Sequence, residues 1–85
     1  MSFYVYVIGC TTKPAKTYVG WTNNLKGRLS KHNSGTGAKF TRGRKWKILY
    51  SEALSTKSKA MRREYQLKKN GKLRLFLRSK IYNVK

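Results

Sequence analysis

Acidic side chains are almost missing from this 85-residue chain, whose two glutamates, Glu52 and Glu64, face 21 lysines and arginines for a formal charge of +19. A surface so one-sided repels itself. It is at home beside a polyanion, where each cation that neutralises a phosphate releases condensed counterions. Cys10 is the single cysteine and His32 the single histidine, which excludes a disulfide or a Cys/His zinc site within one chain and fits a reducing, intracellular, cytoplasmic setting. Cys10, beside Gly9 at the end of an apolar run, reads as a small packing residue. No stretch approaches the roughly 18 apolar residues of a membrane helix, and no basic region precedes the apolar run Met1 to Cys10. Nucleic acid is therefore the expected partner, and a membrane is not.

The chain has 39% hydrophobic residues, with 13% aromatic, enough for one modest core in a single domain over residues 1–85. Any active site must share that core. Phe3 to Ile8, aromatic and β-branched and ended by Gly9, reads as a buried strand with Tyr4, Tyr6 and Ile8 on one face. Lys16 to Val19, before Gly20, reads as its antiparallel partner and sets Tyr18 on the strand beside Tyr6. Asn23 or Asn24 can cap a helix carrying Leu25, Arg28, Leu29 and His32 on one face and ending near Asn33 or Gly35. Residues 33–44 have the composition of a flexible cationic loop, with Lys39, Arg42 and Arg44 around Phe40. Lys47 to Leu54 reads as a third strand. Ser58 can cap a second helix with Ala60, Met61, Glu64, Tyr65 and Leu67 on one side, stopped by Asn70 and Gly71. The tail from Lys72 fits helix at Leu73, Phe76, Leu77, Ile81 and Val84 and alternation at Leu73, Leu75 and Leu77, and helix is the expectation. The fold class predicted is α+β.

Glu64 stands out, because an acid on the core-facing side of a helix in so basic a chain needs a cation. A metal ion or an ion pair with Arg28 or a lysine would each supply one. Mg²⁺ commonly takes only one or two carboxylates and completes its shell with water and phosphate oxygens. Arg28 and His32 interrupt the stripe of Leu25 and Leu29; they either edge a cleft or cover the core with their stems. Tyrosines in strands are packing residues in most cases.

The order Tyr4-Val5-Tyr6, Tyr18-Val19-Gly20, Arg28 with His32 four residues on, Asn33 with Gly35, and then Glu64 in an amphipathic helix resembles the GIY-YIG nuclease family. The likeness runs from Phe3 to Lys69 and is nearest the small stand-alone members, which also contain the stretch Lys39-Phe40-Thr41-Arg42-Gly43-Arg44. It implies a three-stranded antiparallel sheet flanked by two or three helices, with phosphodiester hydrolysis on the sheet surface. Tyr4 stands where the first tripeptide of the family has glycine. Trp21 stands where several of its nucleases have lysine, which leaves open which group assists the attacking water.

The resemblance implies that Glu64 holds one Mg²⁺ or Mn²⁺, that Arg28 binds the scissile phosphate, and that the base is Tyr18, Tyr6 or His32, with Tyr18 first. Lys39, Arg42 and Arg44 are the expected nucleic-acid contacts, with DNA the substrate, cut by structure rather than sequence. A strongly positive potential should favour phenolate over phenol and neutral imidazole over imidazolium. The competing expectation is a basic domain that holds nucleic acid without cutting it, or a degenerate nuclease fold serving as an interaction protein. Pure phosphate binding gives no reason for a rare acid on an inward helix face.

Overall fold

The computed structural model describes residues 2–10, 16–36, 41 and 43–83. Six elements follow one another: β1 (Phe3–Cys10), β2 (Thr17–Thr22), α1 (Leu25–Ser34), β3 (Trp46–Leu54), α2 (Lys57–Lys69) and α3 (Gly71–Asn83). The strands form one antiparallel sheet in the order β2-β1-β3. This is the α+β architecture expected from the sequence.

Central placement explains the composition of β1. Val5 to Cys10 is buried throughout, because a middle strand covered on both faces needs apolar side chains on both. Neither glycine ends its strand, contrary to expectation. β1 runs through Gly9 to Cys10, and β2 through Gly20 to Thr22. Pairing with neighbours on the sheet overrode the local weakness of glycine.

The register sorts the side chains. Tyr6 lies opposite Gly20 and Ile8 opposite Tyr18, so these four share a face. Tyr6, Ile8, Cys10 and Trp46 form a cluster there, against Tyr18, Leu25, Leu29 and Ile48. On the opposite face Val5, Val7 and Val19 pack with Leu67 of α2 and Leu77 of α3. One extra residue in β3, where Val7 pairs with Tyr50 but Ile8 with Ile48, lets both Leu49 and Tyr50 pack with the valine cluster.

Helix ends follow local chemistry. Asn24 caps α1, its Oδ1 accepting from the Gly27 N–H at 3.1 Å, and Gly35 closes the helix at φ 85°. The cap of α2 is Thr56, two residues before the expected Ser58. Asn70 ends α2 and its Oδ1 accepts from the Leu73 N–H at 3.1 Å, so one side chain serves the turn that joins two helices. The tail is helical as expected and buries Leu77, but Phe76 of the expected apolar face is exposed along with Leu75, and Val84 lies outside the described residues.

The expected inner face of α2 needs correcting. Ala60 and Leu67 are buried, but Met61 and Tyr65 are exposed. Leu67 packs in the valine cluster, and Ala60, buried two turns earlier, shares its face, which rotates Met61 and Tyr65 outward. Glu64 stays on the flank, half-buried.

Candidate active site

Tyr6 begins the site, because Gly20 across from it has no side chain. A Cβ at Gly20 would lie 2.6 Å from the Tyr6 hydroxyl oxygen and 2.8 Å from its Cζ. The phenol therefore rests directly over the β2 backbone. Tyr18, two residues earlier on β2, stands on the same face.

His32, in the last turn of α1, reaches the hydroxyl from the helix side: its Nε2 is 2.8 Å from the Tyr6 oxygen. Its Nδ1 is 2.9 Å from Oγ1 of Thr41, and both residues are fully buried. The His32 ring lies 5.1 Å from that of Tyr18 and 5.9 Å from that of Tyr6, tilted at 59° and 60°. Burial first, and then the Arg28 charge, lower the imidazole below its ordinary pKa. Neutral imidazole is thus the form held at pH 7.

Arg28, one turn before His32, hydrogen-bonds to the Tyr6 hydroxyl and interacts with that of Tyr18, and this raises its own pKa. A guanidinium only donates, so the Tyr6 oxygen accepts from Arg28, which leaves its proton available to His32 Nε2 in the tautomer that directs Nδ1–H at Thr41. The Tyr6 phenol itself is pushed up by burial, against the lowering pull of Arg28. The expectation that the positive potential favours phenolate fails for Tyr6, because desolvation of the phenolate outweighs the neighbouring charge.

The Nε of Arg28 is buried and has no hydrogen-bond partner among the described residues. Arg28 lines a cleft of about 570 Å³ together with Tyr6, Tyr18, Gly20, Trp21, Lys31 and Glu64. Glu64 enters from α2, around the outer edge of β2, and raises the Tyr6 pKa as a minor contribution. It forms its ion pair with Lys68, one turn on, at 3.5 Å. The other acid is committed elsewhere: Arg63 Nε donates to both Glu52 oxygens at 3.0 and 2.9 Å, and the Tyr50 hydroxyl donates to one of them. Glu64 is left as the acid of the cleft.

Among the described residues no three His, Cys, Asp or Glu side chains gather as a metal cage. A single half-buried carboxylate in an open cleft suits a hard cation that keeps its waters and shares phosphate oxygens, as Mg²⁺ and Mn²⁺ do. It does not suit an ion retained tightly without substrate.

Four expected residues, Tyr6, Tyr18, Arg28 and Glu64, thus meet at one cleft, and His32 lies behind them rather than in its wall. Arg44 is elsewhere, its Nη1 donating to Cys10 Sγ at 3.8 Å. Lys39 and Arg42 lie outside the described residues. The positioning roles of Thr41, Asn33 and Trp46 escaped the sequence reading. Thr41 sits in the stretch read as a flexible loop, yet is buried against His32. Its carbonyl accepts from Trp46 Nε1 at 2.9 Å. Asn33 accepts from the Trp46 N–H at 2.6 Å and donates to its carbonyl at 3.2 Å, pinning the end of α1 to the start of β3. The signal available was a lone tryptophan beginning a strand beside a histidine-bearing helix end.

A family model described as the GIY-YIG catalytic domain matches residues 2–75. The chain belongs to the GIY-YIG family, a family of nucleases. It is 49% identical over 76 residues to a UPF0213 protein of Clostridium perfringens, covering 85% of this chain and 80% of that one. A UPF0213 protein of Staphylococcus haemolyticus is 47% identical over 66 residues, covering 76% and 78%. A UPF0213 protein of Bacillus halodurans solved by solution NMR is 42% identical, covering 80% of this chain and 71% of that one, with a TM-score of 0.47. No helix among the described residues is long and apolar enough to cross a membrane.

Proposed function

We propose that the chain is a metal-dependent endonuclease that hydrolyses phosphodiester bonds in DNA. The observation that carries this reading is the meeting of Arg28, Tyr18, Tyr6 and Glu64 at one cleft, with neutral His32 hydrogen-bonded behind Tyr6. A module that only binds nucleic acid would need the arginine and could dispense with the buried imidazole and the acid.

Arg28 binds the non-bridging oxygens of the scissile phosphate and stabilises the charge that grows on them in the transition state. Its unmatched Nε is a donor whose burial is compensated when an anion arrives. Tyr18, the more open of the two phenols, orients the attacking water. As that water loses its proton to the Tyr6 oxygen, Tyr6 passes its own to His32 Nε2, so no free phenolate has to form. This arrangement tolerates the raised Tyr6 pKa, because the proton ends on the imidazole. The water oxygen bonds to phosphorus, the bond to the leaving oxygen breaks, and that oxygen is protonated from solvent. Glu64 would hold a divalent cation, which would supply charge stabilisation at the leaving oxygen.

Phosphate contacts position a duplex without reading its bases. The reading therefore includes weak sequence discrimination and a preference for branched or flexible DNA, whose backbone enters the cleft with less distortion. The decisive experiment incubates the protein with supercoiled plasmid and branched oligonucleotides in Mg²⁺, Mn²⁺ or EDTA. Cutting confined to the metal-containing reactions is expected. Binding without cutting in every condition refutes the enzyme, and cut sites sharing one long base sequence refute the structural preference.

A further inference from the structure

A second cavity, of about 450 Å³, adjoins the outer strand β2, lined by Thr17, Tyr18, Val19, Lys68 and Arg74. Tyr18 belongs to both cavities, so the two are neighbours along one strand edge. Arg74 comes from the first turn of α3 and Lys68 from the last turn of α2, and the Asn70 turn between the helices brings them to the same side of β2. The Arg74 Nε is buried and lacks a hydrogen-bond partner among the described residues, as that of Arg28 is and does. These two arginines thus share one peculiarity, and each lines a cavity that touches Tyr18.

We propose that Arg74 and Lys68 form a second phosphate-binding subsite, which holds the backbone phosphate next to the scissile one. A donor removed from water without a partner is destabilising until an acceptor fills it. An anion fits both the charge and the donor count. Lys68 has an alternative partner in Glu64 at 3.5 Å, but it is half-exposed and its pair is of the weak i,i+4 kind, so a phosphate can share it. Two cationic subsites flanking Tyr18 would lay a strand along the edge of β2 and fix its direction over the catalytic groups. The subsite rests on the nuclease reading for its neighbour, the scissile phosphate, and its anion binding can be measured without cleavage.

The test uses the whole chain and Arg74→Gln. In EDTA, which allows no cutting, binding of a defined duplex is followed against salt. Arg74→Gln should bind about tenfold more weakly at low salt, and its log-log salt slope should flatten by about 0.9, one phosphate's worth. Arg74→Lys, which keeps the charge, should recover most of the slope. In Mg²⁺, duplexes carrying one neutral methylphosphonate at successive positions beside the mapped cut site are compared. One flanking position should raise KM about tenfold with little change in kcat for the parental protein, and should add nothing in Arg74→Gln. An unchanged salt slope overturns the subsite. So does a methylphosphonate scan of the parental protein with no sensitive flanking position, a result that does not require Arg74→Gln to fold. If no DNA is cut at all, the nuclease reading fails and the EDTA arm still decides whether Arg74 holds a phosphate.

Discussion

Gly20→Ala asks whether the site's geometry depends on one absent methyl group. In an ordinary strand this change would be mildly favourable, since glycine in a strand interior is worse than alanine by roughly 0.5–1 kcal/mol. Here the new Cβ would stand 2.6 Å from the Tyr6 hydroxyl, 2.8 Å from its Cζ and 3.2 Å from Tyr18 Cε2. Relief to ordinary contact requires a movement of roughly 0.8 Å. Either Tyr6 turns out of its rotamer and gives up His32, or β2 moves away from β1. Overpacking of this kind costs about 1–3 kcal/mol, and an unmet buried imidazole nitrogen about 1–3 more. After the favourable strand contribution, a net loss of about 1–5 kcal/mol is expected. For a domain of this size that lowers the melting temperature by at least ~4 °C. Circular-dichroism melts measure it, and plasmid nicking should fall with it. The diagnostic control is Gly20→Ala in a Tyr6→Leu background, where the two Tyr6 clashes are gone and only the milder Tyr18 Cε2 contact at 3.2 Å remains. The two changes should then couple by at least ~1 kcal/mol. A Gly20→Ala protein that melts at or above the parental temperature, or a cycle without coupling, refutes the reasoning.

Glu64→Gln should abolish metal-dependent nicking by at least ~10²-fold and change stability by less than ~0.5 kcal/mol, because the pair lost is a surface i,i+4 contact. Binding isotherms should hold or tighten as net charge rises. A well-folded variant that nicks at the parental rate removes Glu64 from the mechanism. The lowered His32 pKa makes stability pH-dependent with a definite sign. The unfolded histidine takes up a proton near 6.5 and the folded one only below that. Stability is therefore full above about pH 6.5 and is lost as pH falls toward the folded value. Melts between pH 5 and 7.5 should show that limb, His32→Gln should flatten it, and an NMR-titrated pKa above 6.5 would contradict it. DNA affinity should fall with salt at a slope of about −0.9 per neutralised phosphate, and Arg44→Ala should reduce it if that residue is a phosphate contact; a slope near zero for the parental chain ends the electrostatic account.

The parts of the fold legible in the sequence were those decided by local periodicity. Alternation placed Tyr6 and Ile8 on one face, and helical spacing placed Arg28 and His32 together on α1. What local pattern could not carry was partnership. Gly9 and Gly20 look like strand ends because glycine is a poor strand residue, and only pairing keeps them inside. Thr41 looks like loop chemistry because its neighbours are glycine and cations, while the His32 Nδ1 and the Trp46 indole hold it in the interior. Met61 and Tyr65 share the spacing of Leu67 only loosely, and the direction of the valine cluster decided which of them turned inward. Glu64 stood out in the sequence by its helix position, but nothing there showed what holds Glu52. Arg63 and Tyr50 commit Glu52, and Glu64 is left on the cleft.

The site is built from two environments one hydrogen bond apart. Behind Tyr6, His32 and Thr41 are dry, and each nitrogen of the imidazole has a hydroxyl partner. In front, Arg28, Tyr18 and Glu64 face an open cleft. A domain this small has one core, so its polar centre must serve as the back wall of the site. The division has an energetic reason. A proton acceptor is useful near neutrality only if something keeps it uncharged in a chain of formal charge +19, and burial does so regardless of salt, whereas the repulsion of surface cations is screened. Phosphate binders need the opposite, a charge that water and substrate can both reach. Tyr6 is the one group that belongs to both: it lines the cleft, and its hydroxyl lies 2.8 Å from His32 Nε2. Glu64 in front of it can change without disturbing the core, whereas Tyr18 packs against the Ile8 cluster and the buried residues behind Tyr6 bear on folding.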